Sequence, residues 1–281
     1  MEILILFIQS IVYAMCVFMF IYFAKVIADY RVASIFNVDY QILVSENIAV
    51  SLRRAGLYLG VAIGMYAAIE GNSSNFIEGL ISEIIYGILI LIFLFIAMFI
   101  NDKIILKGIN NDEEIKNNNI SVGLFEMGSY IATGIIAYGS FIGSGPWYSS
   151  IIFFALGQLV LIAMVWIYRY LTKYDSIKEI KEGNIPAGLM IGGIMIAYGL
   201  ILKASIIGPF TNWTNDLSSF ALSALSGILL LLVFANKAID KLFLPGSNIH
   251  KEIAEDKDLP PIIVVVAIKI SIAIIISAVI L

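Results

Sequence analysis

The chain has one cysteine, one histidine and few charges. A single thiol, Cys16, excludes an internal disulfide framework and a cysteine metal site. A single imidazole, His250, excludes a histidine metal cluster, so neither a metal nor another cofactor is expected. Charged residues make up 14% of the 281, where a soluble domain carries about a quarter. No HExxH, GxSxG, Walker or dinucleotide signature appears, so no catalytic constellation is visible and the chain is not expected to be an enzyme. The formal charge of −4 gives nucleic acid nothing to bind.

Hydrophobic residues are abundant: they account for 60% of the chain, and the mean hydropathy is +0.97. Eight apolar segments stand out, at about 3–28, 48–69, 80–100, 120–143, 147–170, 185–208, 217–235 and 260–281. Each is long enough to cross a bilayer, which takes about 20 residues. The first opens with Glu2, lacks a basic leader and stays apolar to Ala28, so it reads as a retained helix rather than a cleaved signal. Of the 17 Lys and Arg residues, 15 border or lie in the long connections 29–47, 101–119, 171–184 and 236–259. The connections around 70–79, 144–150 and 209–216 carry none. This bias places the long loops in the cytoplasm and both termini outside.

The long loops end alike, with a capping residue followed by an apolar helix. The sequences are Asn47-Ile48-Ala49-Val50, Asn119-Ile120-Ser121-Val122, Asn184-Ile185-Pro186-Ala187 and, more faintly, Asp258-Leu259-Pro260-Pro261. An Asn there accepts from the orphan amides of a helix entering lipid. Nineteen residues past the three Asn stand Tyr66, Tyr138 and Lys203. At 1.5 Å per residue they lie ~29 Å away, at the far interface. The motif Asp102-Lys103-Ile104-Ile105-Leu106-Lys107-Gly108 is matched by Asp240-Lys241-Leu242-Phe243-Leu244-Pro245-Gly246. The expected fold is an all-α membrane protein of eight transmembrane helices. It is a tandem duplication of a four-helix unit, 1–145 and 146–281, made of four helix–loop–helix repeats and related by a parallel pseudo-two-fold along the membrane normal.

Even-numbered helices hold most of the membrane glycines, among them Gly56, Gly60, Gly64, Gly123, Gly128, Gly188 and Gly192. Small residues let backbones approach closely, so these helices should form the interior. The odd-numbered helices, rich in aromatics such as Phe18, Phe93, Phe153 and Trp166, should face lipid or a partner chain. The eighth helix departs from the pattern, with no glycine after Gly246.

Charge at membrane depth marks the candidate sites. Arg53 and Arg54 lie ~9–10 Å past Asn47, within reach of the surface by snorkelling. Glu126 holds the repeat position of Arg54, and Lys269 lies ~16 Å past Asp258. Two pairings are open: Glu126 with Lys269, or Arg54 with Glu126. Either is a packing ion pair or a proton or ion relay. Gln158, mid-span, either lines the same path or makes a helix–helix hydrogen bond. His250 and its charged neighbours read as a solvated loop face.

The loop-ending Asn, the small residues after it and the glycine-rich helix behind resemble the YjfL-like family of bacterial inner-membrane proteins. Their shared region is a domain of unknown function, present here as two tandem copies. The resemblance implies a multi-pass protein of the bacterial cytoplasmic membrane and brings no substrate, cofactor or catalytic residue. The expected function is therefore an ion or small-solute transporter or channel, or alternatively a membrane scaffold. Expected partners are membrane lipids, a second copy or a cytoplasmic protein.

Overall fold

Each long loop is built by one local device, repeated four times. A polar residue starts a short helix, a residue of positive φ reverses the chain, and a loop-ending Asn or Asp starts the next span. The positive-φ positions are Glu46, Asn118, Gly183 and Lys257, each immediately before Asn47, Asn119, Asn184 or Asp258. Only Gly183 takes this conformation without a side-chain clash. The turn is closed by the backbone amide of the loop-ending residue: Asn47 N–H donates to Gln41 O, Asn119 to Glu114 O, Asn184 to Glu179 O and Asp258 to Glu252 O, all at 2.9 Å.

The computed structural model describes residues 2–70, 75–143, 145–208, 210–246 and 248–280, and among these all regular elements are helical. Much of the first short connection, 71–74, and residues 144, 209 and 247 lie outside the described residues. The membrane-crossing helices are α1 (Glu2–Val32), α3 (Ile48–Glu70), α4 (Phe76–Ile104), α6 (Ile120–Ile142), α7 (Trp147–Leu171), α9 (Ile185–Ile206), α10 (Trp213–Phe243) and α12 (Leu259–Ile280). All eight are long and apolar enough to span a bilayer. Four short helices occupy the long loops: α2 (Val38–Leu43), α5 (Asn111–Lys116), α8 (Ser176–Lys181) and α11 (Ile249–Ala254). Eight crossings put every long loop on one face, so the four units run parallel.

The interior helices stand in a row in chain order, α3 on α6, α6 on α9, α9 on α12. The outer helices α1, α4, α7 and α10 pack along one side of this row. Row position sets burial. In the apolar windows of α6 and α9, 78% of residues are buried, against 28% in α12 at the row's end and 11% in α1. The glycines are where the backbones touch. A Cβ on Gly56 would sit 2.5 Å from Met127 Cα, and one on Gly60 2.6 Å from Tyr130 O. Gly128 lies directly against the Gly192 backbone, and Gly188 against Ser121. A Cβ on Gly123 would come within 2.9 Å of Ala49 Cα. Gly64 instead meets Ile90 of α4. The outer aromatics divide: Phe18 is exposed, but Phe93, Phe153 and Phe154 turn inward and are buried. The far-interface register holds, because Tyr66 stacks on Tyr138 with ring centroids 5.5 Å apart and Lys203 Nζ lies 4.7 Å above the Tyr138 ring.

The loop-ending Asn does more than cap. In the first three units its side-chain oxygen accepts from the amide three residues on: Val50 at 2.9 Å, Val122 at 3.2 Å and Ala187 at 3.3 Å. Its amide nitrogen then donates into the next unit's short helix. Asn47 reaches Ile115 O and Lys116 O, Asn119 reaches Ile180 O and Lys181 O, and Asn184 reaches Ile253 O. Each Asn thereby clasps its unit to the following one. The fourth position departs for a physical reason. Three residues past Asp258 stands Pro261, which has no N–H to cap, and a carboxylate has no donor for a clasp. Asp258 is also exposed. The expectation that Asp258 repeats the Asn role is therefore corrected: it keeps the turn and loses the cap.

The clasp is testable on its own. Asn119→Asp keeps the cap acceptor, removes both donations to the next unit and sets a carboxylate against Glu114, to which Asn119 also donates at 3.0 Å, so it should cost about 1–3 kcal/mol. Asp258→Asn should leave thermal unfolding unchanged. Equal effects of the two in detergent-solubilised protein would refute the assignment.

Candidate functional site

The first repeat holds a charge network where α1, α3, α4, α5 and α6 meet near the long-loop face. Arg53, six residues past its cap, turns inward to Glu126. Its Nη2 donates to Glu126 Oε1 at 2.7 Å while Nε pairs with Oε2, a bidentate contact. Both residues are buried, with 3% of each exposed. Arg53 Nη1 also donates to Asp112 Oδ1 at 2.7 Å. Asp112 accepts from Arg31 Nη2 at 2.9 Å, and Arg31 Nη1 lies 3.7 Å from Asp102. Asn111 Nδ2 donates to Asp102 at 2.6 Å. In a second branch Arg54 pairs with Asp29, which accepts from Lys25 Nζ at 2.8 Å.

These contacts replace each pairing that sequence left open. Glu126 pairs with neither Lys269 nor Arg54: Lys269 is on α12, separated from α6 by α9, and Arg54 points to α1. Arg53 and Arg54 do not snorkel to the surface either, since both are buried among carboxylates. Lys269 is 1% exposed and is held by Leu231 O at 3.0 Å and Asn236 Oδ1 at 2.5 Å. Sequence reasoning missed Arg31, Asp29, Asp102 and Asp112. Their signal was acidic residues at the loop ends of apolar segments, facing an equal run of basic ones. It also missed Glu83 of α4, fully buried, with neither carboxyl oxygen hydrogen-bonded. An acid inside the third apolar run was the cue.

A polar stripe leads away from this network along α6. Glu126, Ser129, Thr133 and Ser140 recur at helical spacing on one face, and all are buried. At the far end Ser140 lines a cavity of about 260 Å³ with Ser149, Ser205, Ser219, Ser223 and Asp216. Midway, Thr133 Oγ1 has no hydrogen-bond partner. Gln158 of α7 lies near the same depth, because Gly157 abuts Ile136, and neither polar atom of its amide is bonded. The expected helix–helix hydrogen bond of Gln158 is therefore not made. Unpaired polar atoms in a bilayer interior cost several kcal/mol each, on the order of a lost hydrogen bond to water, so they are not neutral packing choices.

The fold and the buried network define a polytopic membrane protein built by internal duplication. The family profile described as Domain of Unknown Function (DUF350) matches residues 2–141 and again 143–280, and the chain belongs to that family. It is also similar to a UPF0719 transmembrane protein of Aquifex aeolicus (strain VF5), 28% identical over 217 residues that cover 75% of this chain and 79% of the relative. No solved structure matches.

Proposed function

We propose that the protein is a non-enzymatic carrier of protons or small ions in a bacterial cytoplasmic membrane, its long loops cytoplasmic and both termini outside. The observation that supports this reading is the α6 stripe. It runs from Ser140 at the edge of a polar cavity, past Thr133, to Glu126 of the Glu126–Arg53–Asp112 network, with Gln158 of α7 near the depth of Thr133. The buried Thr133 hydroxyl and Gln158 amide, which have no hydrogen-bond partner, can accept and pass on a moving proton or a partly dehydrated cation. Glu126, shared between Arg53 and that path, would gain and lose its charge as Arg53 shifts toward Asp112. The alternative, a scaffold docking a soluble protein, rests on the charged outer face of α8, where Lys178 pairs with Glu182 just past the helix, 3.7 Å apart at the surface.

Purified protein in liposomes loaded with a pH-sensitive dye separates the two. A proton or cation leak that depends on the protein should fall about tenfold in Thr133→Val, a change of shape-conserving type equivalent to ~1.4 kcal/mol in barrier. Thr133 has no bond to lose, so folding should be retained. A well-folded wild-type protein that moves neither protons nor alkali cations would end the transport reading.

A further inference from the structure

The two repeats place the same positions around very different sites. Asp240 stands in the second repeat where Asp102 stands in the first, within the matching motif. His250 is the second residue of α11, as Asp112 is of α5. Met190 lies six residues past Asn184, as Arg53 does past Asn47. In the first repeat the Arg53 guanidinium fills the centre and ties the acids down. In the second, Met190 carries no charge, and Met190, Asp240 and His250 border a cavity of about 30 Å³ together with Tyr168, Asn236 and Ile249. That is room for roughly two waters, each needing 10–15 Å³. Two buried polar atoms at this cavity's residues, Asp240 Oδ1 and His250 Nδ1, have no hydrogen-bond partner. The reading of His250 as a solvated loop residue is thus corrected: its ring is half-buried, edge-on to Tyr174 at 6.1 Å.

The cavity adjoins Lys269 through Asn236. Asn236 accepts from Lys269 Nζ at 2.5 Å and also lines the cavity. The local helix is built for this. Residues Leu229–Phe234 and Ile239–Phe243 form π-helical turns, a form that recurs at functional sites. Ala235 N–H reaches back five residues to Leu230 O instead of four to Leu231 O. Leu231 O then receives the Lys269 ammonium. Among the described residues no carboxylate lies within ion-pair distance of Lys269.

We propose that Lys269, Asn236, Asp240 and His250 form a proton-exchange site of the second repeat, open toward the long-loop face through the cavity between Asp240 and His250. A proton leaving Lys269 Nζ, held at the cavity's edge by Asn236, passes by way of water displacing that contact to the cavity and then to His250 Nδ1, which becomes imidazolium beside Asp240. Release of that proton from the ring to the loop face, and uptake of another, return the site to its start. The ionisable groups facing it are Asp240 and Lys269 from α10 and α12, Tyr168 from α7, and Tyr174 and Lys173 from the loop before α8. Tyr168 and Tyr174 share a hydroxyl–hydroxyl bond of 2.9 Å, and burial pushes Tyr174 up to about 12, so it stays neutral. α9 contributes only Met190. Burial, with Lys173 nearby, holds the His250 imidazole below its ordinary value, while Asp240 pulls it up. Neutral pH therefore leaves it ready to accept. This site is separate from the α6 stripe, and its test does not use flux.

His250 is the only histidine, so ¹⁵N-histidine labelling of the protein, carried on a histidine-free tag in nanodiscs, reads one imidazole. Asp240→Asn should shift its titration midpoint down by about half a unit or more, and Lys269→Gln should shift it up by a similar amount. Met190→Arg, which places a guanidinium as Arg53 is placed, should shift it down by about a unit. If Lys269→Gln does not fold, Asp240→Asn and Met190→Arg still decide. A midpoint that none of the folded variants moves, or an imidazole that does not titrate between about pH 5 and 8, would overturn the proposal.

Discussion

Arg53→Met should lower stability by about 3–5 kcal/mol, because it strands Glu126 in a buried site with no countercharge, while Asp112 keeps only Arg31. Arg54→Met is the built-in control. It is the next residue, of the same type and equally buried, yet its one ion pair is to Asp29, which keeps Lys25 at 2.8 Å. It should cost clearly less. Removing both ends of the deeper pair, Arg53→Met with Glu126→Leu, should recover a good part of the loss, since an absent pair leaves fewer buried charges than a broken one. Unfolding in detergent followed by helical circular dichroism measures all three. If Arg53→Met proves no worse than Arg54→Met, the network is not organised around Arg53.

The second large effect lies at the α6–α9 contact. Gly128→Val should cost at least about 3 kcal/mol, because the new side chain must enter the Gly192 backbone, which cannot rotate aside. Gly192→Ala should also be harmful, its Cβ meeting Leu124 O at 2.5 Å. Gly143→Ala is the control, with its nearest neighbours 4.0 Å off. The readout is the monodisperse fraction on size exclusion together with the unfolding midpoint. A Gly128→Val protein as stable as the Gly143→Ala one would mean that the two helices do not touch there.

Why sequence reached some of these features and not others has a single geometric cause. Depth along a helix is counted in residues, so the spans, the caps and the Tyr66–Tyr138–Lys203 level were all readable. The direction in which a side chain points is set by rotation about the helix axis, ~100° per residue, and is not counted by depth. Arg53 and Arg54 share a depth and differ by that one step, so one meets Glu126 and the other Asp29. Glu126 and Lys269 looked compatible in depth, but α9 stands between their helices. The Asn clasp was half legible: the cap acceptor follows from the residue type, whereas the donation into the next unit's short helix needs the units side by side.

What the sequence determined alone is that this chain lives in a bilayer as eight spans in duplicated, parallel units, because apolar length, loop charge and capping chemistry act locally. The order of the row, the partner of each buried charge and the small cavity left where Met190 replaces an arginine were decided only by the tertiary structure. They depend on which helix faces meet, and in lipid that is chosen by close backbone packing at glycines rather than by any residue's own preference.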